Sequence, residues 1–482
     1  MTATRLNPLD ASWLYTESRE TPMHVGALMP FRLPEGAPPD FLRQLMAEWR
    51  KHRRFEAPWN RRLKSSLLKN PVHHWIEDDE IDLEAHLRHT ALPWPGGERE
   101  LGELIARLHS QPLDLSRPPW ECTLIEGLQG DRFAIYIKMH HSLIDGVSGV
   151  RLLQRVMTPD RDKSLQIPPF WAIGLASARK GARSAPERDT RTPTVTNALA
   201  GVFDALRGQV GTVPQLLLAF GKMLRVTGEV DPDLRVPFGA PGATINGRVR
   251  AKRRFATQQI SLDRMKALAA AADCTINDIV LATCGGALRR FLEDSGELPD
   301  AALTAGIPVS VRPKDDENTG NAITFIIATL GTDIADPLER LAAIRASVRS
   351  AKAHVGSLPR AAMTQYTVAL MAPTILGLLT GLGGRTRPVF NITISNVPGP
   401  DKPLFFRGAE LLATYPVSIV THGQALNITC HSYAGHMAFG FTGCHATLPH
   451  MQRIAVYTGE VFDELERLIM KPRRRRAKKT AA

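Results

Sequence analysis

Cysteine is scarce in this 482-residue chain and carries no pattern. Cys122, Cys274, Cys284, Cys430 and Cys444 form no CxxC pair and no zinc-ligand spacing, which argues against a disulfide scaffold, a dithiol redox centre and a structural zinc. The opening MTATRLNPLDASWLY lacks the basic-then-apolar order of an export signal. Together with an odd number of thiols this fits a reducing interior, where thiols pack as small apolar groups. On that expectation the glycosylation sequons at Asn391 and Asn427 carry no meaning. No GxSxG elbow occurs, which disfavours a serine-nucleophile hydrolase. There is no internal repeat at solenoid periods, and strands and helices mix without strict βαβ alternation.

What is present is ordinary globular composition, 43% apolar and 22% charged. The length favours two domains. A net charge of +12 suggests nucleic acid at first sight, but Lys471, Arg473, Arg474, Arg475, Arg476, Lys478 and Lys479 concentrate much of it at the C-terminus, and the body is only mildly basic. No nucleic-acid partner is expected. Residues 471–482 read as a solvated, disordered basic tail, or as an attraction to an anionic lipid surface. Residues 361–384 are uncharged and long enough to span a membrane. Pro373, Gln365 and the threonines and glycines of that run favour a buried or interfacial helix pair, lining a channel for an alkyl chain or touching lipid.

Taken in order, PMHVGALMPFRL reads as a strand with His24 as a core histidine, and residues 38–56 as a helix with Phe41, Leu42, Leu45 and Trp49 on one face. WIEDDEIDLEAHLRH reads as extended, and Glu98 to Ser110 as a helix. A Pro118-Pro119 turn leads into a strand ending at Gly130-Asp131. Residues 158–195 read as a linker or surface excursion, and 197–228 as helical. The domains are therefore set at 1–170 and 246–470, with a linker and helical crossover at 171–245. In the second domain, RRFATQQISL is a strand with Ser261 as a helix N-cap. LTAGIPVSVRP, AITFIIATLGT, FNITISNVPGP and the two runs LLATYPVSIV and ALNITCHSYAGHMAFGFTGC are further strands, the last with a turn near Ala434-Gly435, and a helix closes the chain.

The most informative stretch is RFAIYIKMHHSLIDGVSGVRLLQRVM, residues 132–157. Phe133, Ile135, Ile137 and Met139 alternate with smaller or polar residues, as in a half-buried strand, and Val147, Val150, Leu153 and Met157 have helical spacing. His140, His141, Asp145 and Gly146 fall in the loop between. Three readings compete. In one, His141 and Asp145 pair on a metal, but no third ligand is near in sequence and catalytic zinc needs three. In another, the histidines only support buried structure, which suits His140, since adjacent residues leaving a strand face opposite ways. Or His141 is a general base, its imidazole well matched to taking a hydroxyl proton at neutral pH. Asp145 then locks the loop by pairing with an arginine from elsewhere, or sits beside His141 as a dyad.

His140-His141-xxx-Asp145-Gly146 resembles the HHxxxDG signature of the acyl-CoA-dependent acyltransferases, which include chloramphenicol acetyltransferase and peptide-synthetase condensation domains. PLDASWLYTESRETPMHVGALMPF, LDLSRPPWE, KMHHSLIDGVSG, Asn277-Asp278, PVSVRP and SNVPGP are similar, in that order, to the bacterial wax ester synthase/acyl-CoA:diacylglycerol acyltransferases. One departure is Pro119, where that family usually has leucine between proline and tryptophan. The resemblance implies an α/β (α+β) fold of two chloramphenicol-acetyltransferase-like subdomains, with mixed sheets and a channel between them. It implies an O-acyltransferase that moves a long-chain acyl group from acyl-CoA, as co-substrate, to a fatty alcohol or diacylglycerol, with no metal and no further cofactor. It places His141, His140, Asp145, Gly146 and Asn277 among the catalytic residues, and Asp278 and Trp120 at the substrates. Asn277 is either an oxyanion donor or a residue shaping the site, or equally a helix N-cap. The location implied is cytoplasmic, peripheral at the inner membrane or a lipid inclusion. The rival functions are a non-catalytic acyl-binding module and a lipid-droplet coat.

Overall fold

The central strand of the first half is buried on both sides, although its alternation predicts one wet face. In the computed structural model, which describes residues 4–6, 8–64, 74–144, 149, 152, 155–174, 231–310, 323–358 and 360–470, this strand is Arg132–His140. Phe133, Ile135, Ile137 and Met139 pack into one core with Trp120, Cys122 and Leu124. Ala134 and Tyr136 pack into another with Leu28, Ile105, Phe255 and Val417. Lys138 tolerates this burial because its ammonium is fully engaged. It pairs with Glu121 Oε2 at 3.1 Å and donates to the carbonyls of Leu108 and Gln111, which satisfies a charge that would otherwise be costly to bury.

The strands of the first half are β1 (Thr4–Arg5), β2 (His24–Arg32), β3 (Arg61–Leu63), β4 (His74–Glu77), β5 (Leu87–Ala91), β6 (Trp120–Leu128) and β7 (Arg132–His140). Those of the second are β8 (Arg253–Ser261), β9 (Thr304–Ser310), β10 (Ile323–Thr329), β11 (Ile392–Val397), β12 (Phe405–Phe406), β13 (Ala409–Leu411), β14 (Tyr415–Val417), β15 (Leu426–Tyr433) and β16 (His436–Cys444). The second-half sheet runs β10-β9-β11-β15-β16-β8. Helices Ile276–Asp294, Pro337–Ser357 and Gln452–Met470 share its main core. The first-half sheet runs β12-β13-β2-β7-β6-β5, with β14 also on β2. Three strands of the second half thus complete the first sheet, so the boundary at 171–245 divides the sequence but not the space. Periodicity carries no information about this, because strand pairing partners are not local.

Local signals hold where chemistry specifies them. Ser261 accepts from Arg264 N as a cap, and Asp336 caps the helix that Pro337 opens. Other boundaries move. The helix at 38–56 is shorter, Phe41–Lys51, because His52 turns extended. The stretch taken as extended contains a short helix, Leu83–His86, capped by Asp82. Residues 170–174 are no excursion, since Phe170 and Trp171 are buried against Trp59, Trp120 and Trp49. The pair expected at 361–384 is one helix, Arg360–Leu379, running through Pro373. It ends where Gly381 takes a φ of +72° and Gly383 N donates to Gly377 O. The helical segment at 197–228 and the tail at 471–482 lie outside the described residues.

Candidate active site

The two adjacent histidines leave β7 in different environments. His140 is wholly buried, 0% exposed, and lies opposite His24 in the β2–β7 register. Its backbone N donates to Pro119 O, a bond that any residue at 119 supplies, so the proline departure leaves the loop anchored. Ser142 N donates to His140 Nδ1 at 3.2 Å, with Ser142 Oγ 2.6 Å away. Because Nδ1 accepts, the ring proton belongs on Nε2, which faces Glu17 Oε2 at 3.5 Å. Glu17 uses its other oxygen to accept Met23 N at 3.2 Å.

His141 is half-buried rather than enclosed. Its backbone N donates to Met23 O at 2.9 Å. Its ring stacks on Trp13, with centroids 4.3 Å apart and planes 20° from parallel. Trp13 lies on the Pro8–Thr16 helix, which packs against the Arg360–Leu379 helix of the second half. A titratable ring that is held at its backbone, oriented by an aromatic face and partly open suits a proton-transfer group.

Beneath the loop is a second layer of buried polar groups. His24 Nε2 donates to His109 O at 2.9 Å. Burial foremost pushes the His109 imidazolium down to a pKa of about 3, with the nearby Arg253 and Lys138 charges adding to it. The ring is therefore neutral, with a single N–H. It donates from Nε2 to Ser418 O at 3.2 Å and accepts the Tyr136 hydroxyl at Nδ1, 2.7 Å away. Ser418 belongs to the second half, so this ring fastens β7 across the seam. His24 fits the expected core histidine, although its Nδ1 finds no partner among the described residues.

The structure does not gather every residue expected here. Asp145 and Gly146 lie outside the described residues. Trp120 is 1% exposed, its Nε1 donating to Trp59 O and its ring stacked on His86. Its side chain is thus enclosed in the core of the first half. The N-cap of the Ile276–Asp294 helix is Thr275, not Asn277, because the Thr275 hydroxyl caps Asp278 N. Asp278 Oδ2 accepts from Thr275 N and Oγ1, closing a capping box in the helical layer of the second half. None of the described contacts brings Asn277 to His141. Among the described residues no cluster of three His, Cys, Asp or Glu groups is placed to hold a metal ion.

Trp13, Glu17 and Met23 are the site residues that periodicity alone passes over. Their only sequence signal is that they sit in the PLDASW…PMHVG run that carries the resemblance.

Known proteins resemble this chain over nearly its whole length. Residues 6–280 match the model of the wax ester synthase/diacylglycerol acyltransferase catalytic domain, and residues 319–466 that of the family's C-terminal domain. A putative diacylglycerol O-acyltransferase of Mycobacterium tuberculosis (strain ATCC 25618 / H37Rv) is 49% identical over 493 residues, covering 96% of this chain and 97% of that one. An O-acyltransferase of Acinetobacter baylyi is 38% identical over 467 residues, covering 97% and 98%. Among solved structures, the wax ester synthase/diacylglycerol acyltransferase of Marinobacter aquaeolei VT8 superimposes with a TM-score of 0.77 at 36% identity, covering 97% of this chain and 100% of that one. With both halves matched and the histidine pair at the end of β7, the chain belongs to the wax ester synthase/diacylglycerol acyltransferase family.

Proposed function

We propose that this chain is an O-acyltransferase that moves a long-chain acyl group from acyl-CoA to the hydroxyl of a fatty alcohol or diacylglycerol, with His141 as general base. The observation that carries the reading is the contrast between the two histidines. His140 is sealed in a tautomer that faces Glu17, whereas the His141 ring is oriented by Trp13 and remains partly open.

In this scheme the acceptor oxygen attacks the thioester carbonyl carbon as His141 takes its proton. The C–S bond breaks, the acyl group stays on the acceptor oxygen as an ester, and the imidazolium returns the proton to the departing thiolate, giving free CoA. Acyl-CoA is a co-substrate, and the scheme needs no other cofactor. The Arg360–Leu379 helix supports an apolar passage beside the base, since it packs on the helix bearing Trp13. Release of thiol from palmitoyl-CoA, with hexadecanol or diacylglycerol as acceptor, tests the reading. His141→Ala is expected to lower turnover by about 100-fold or more at unchanged thermal stability. Full activity in that variant refutes the base assignment.

We further propose peripheral attachment to a membrane or lipid inclusion on the cytoplasmic side. No single helix among the described residues is long and apolar enough to cross a membrane. Support comes from the tip of the Arg360–Leu379 helix, where Leu379 is 38% and Leu382 49% exposed. Arg385 and Arg387, both exposed, follow at once. Exposed apolar side chains followed by arginines fit an anionic lipid surface.

A further inference from the structure

We propose that Trp13 and Glu17 are positioning residues for the base, with the segment between Trp13 and Met23 acting as a strap over the histidine pair. The inference rests on His141 being the general base.

Packing alone does not account for Trp13. The Pro8–Thr16 helix gives Ala11 and Leu14 to a small core with Leu6, Leu63 and Trp75. Trp13 belongs to none of the four apolar cores, and its described ring contact is the stack on His141. Two consequences follow for the ring beneath it. Rotation about its side-chain torsions is blocked on the stacked side, which holds the reacting nitrogen toward the acceptor. The indole face also attracts a cation more than a neutral ring. It therefore favours the imidazolium that forms during proton transfer over the imidazole of the ground state, and only such a differential interaction speeds the chemical step.

Glu17 fixes the same ring through the main chain. One carboxylate oxygen holds Met23 N–H, and the carbonyl of Met23 in turn accepts His141 N–H. The other oxygen faces the Nε2 proton of His140, whose Nδ1 is tied to Ser142 in the turn beyond. A single side chain thus bonds the residue whose carbonyl holds the base's N–H and lies alongside the preceding histidine, 3.5 Å from its Nε2. Glu20, further along the strap, lies within ion-pair distance of Arg250, Arg248 and His422 of the second half, and its carbonyl accepts from Arg253. The strap is therefore anchored at its far end by the other half of the molecule.

Steady-state kinetics on the full chain, run beside His141→Ala, tests the proposal. For Trp13→Leu the expected result is a fall in kcat of about 10- to 100-fold, with the KM for acyl-CoA and for the acceptor within about twofold of the parent. Trp13→Phe and Trp13→Tyr are expected to recover most of the loss, because an aromatic face is what matters. Glu17→Gln keeps an acceptor for Met23 N–H and is expected to retain more activity than Glu17→Ala. A Trp13→Leu enzyme with parental kcat overturns the proposal, as does a Phe variant no better than Leu, or losses that appear only in KM. If His141→Ala itself stays active, the base reading falls first. If His141→Ala is dead while Trp13→Leu is unimpaired, only the strap falls.

Discussion

The buried histidines make acid stability a property of single residues. His109 is held neutral by burial, its pKa pulled from 6.5 to about 3, and His431 is pulled to about 4 by the same cause. A histidine whose folded pKa is depressed binds fewer protons in the fold than in the unfolded chain between those two values. Stability from its neutral form is complete above pH 6.5 and is lost as the pH falls toward the folded value. The melting temperature is therefore expected to decline from about pH 6.5 downward, and His109→Gln, which cannot titrate, to show a shallower decline in thermal denaturation between about pH 6.5 and 5. An unchanged slope would mean that other groups carry the acid response. At this scale the sequence was most readable where chemistry and motif coincide. The contrast between a buried His140 and a half-buried His141 was legible because adjacent residues leaving a strand face opposite ways. Trp13 and Glu17 could not, because a tryptophan and a glutamate near a helix end have common explanations, and the histidines they meet lie more than a hundred residues away.

Among elements, the strands and most helices were legible because alternation, caps and glycine turns are local. β2, β6, β7, β8 and the hairpin of β15 and β16 fall where the pattern puts them. The crossing of β12, β13 and β14 was not legible, since nothing in LLATYPVSIV says which sheet it joins. Its cost to sequence freedom is visible at Gly440. A Cβ there would stand within 1.9 Å of Pro416 O, so β14 reaches β16 only across a bare backbone. Gly440→Ala is expected to push the two strands apart and lower the melting temperature by roughly 5–10 °C, the effect of a displaced backbone in a packed core. Calorimetry showing less than about 1 °C of change would mean that the seam yields at little cost.

On the scale of the whole molecule, the two halves are joined by polar contacts as well as apolar ones. His109 reaches Ser418, Arg253 N donates to the Ser110 hydroxyl, and Glu20 stands among the basic groups of the second half. The proposed lipid-facing tip lies beside this junction, since Arg248 donates to the carbonyls of Gly381 and Gly383. Leu379→Asp with Leu382→Asp is expected to reduce co-sedimentation with phosphatidylglycerol vesicles by about tenfold or more, while thiol release from dispersed short-chain substrates stays the same. Equal sedimentation of the variant and the parent would remove that surface from the account.

The crossing strands also dictate the order in which a working molecule can come into being. Arg32 of β2 meets Glu410 of β13 across 378 positions of chain. Until that distant segment has left the ribosome, β2 presents an unpaired edge, and the strand that holds the histidine pair rests on an incomplete sheet. A nascent chain stopped before Phe405 therefore contains every residue of the histidine loop and its strap, yet lacks the support that aligns them. Synthesis of a competent enzyme is in this sense all-or-none, and the early exposed edge is where a holdase chaperone would have most to protect.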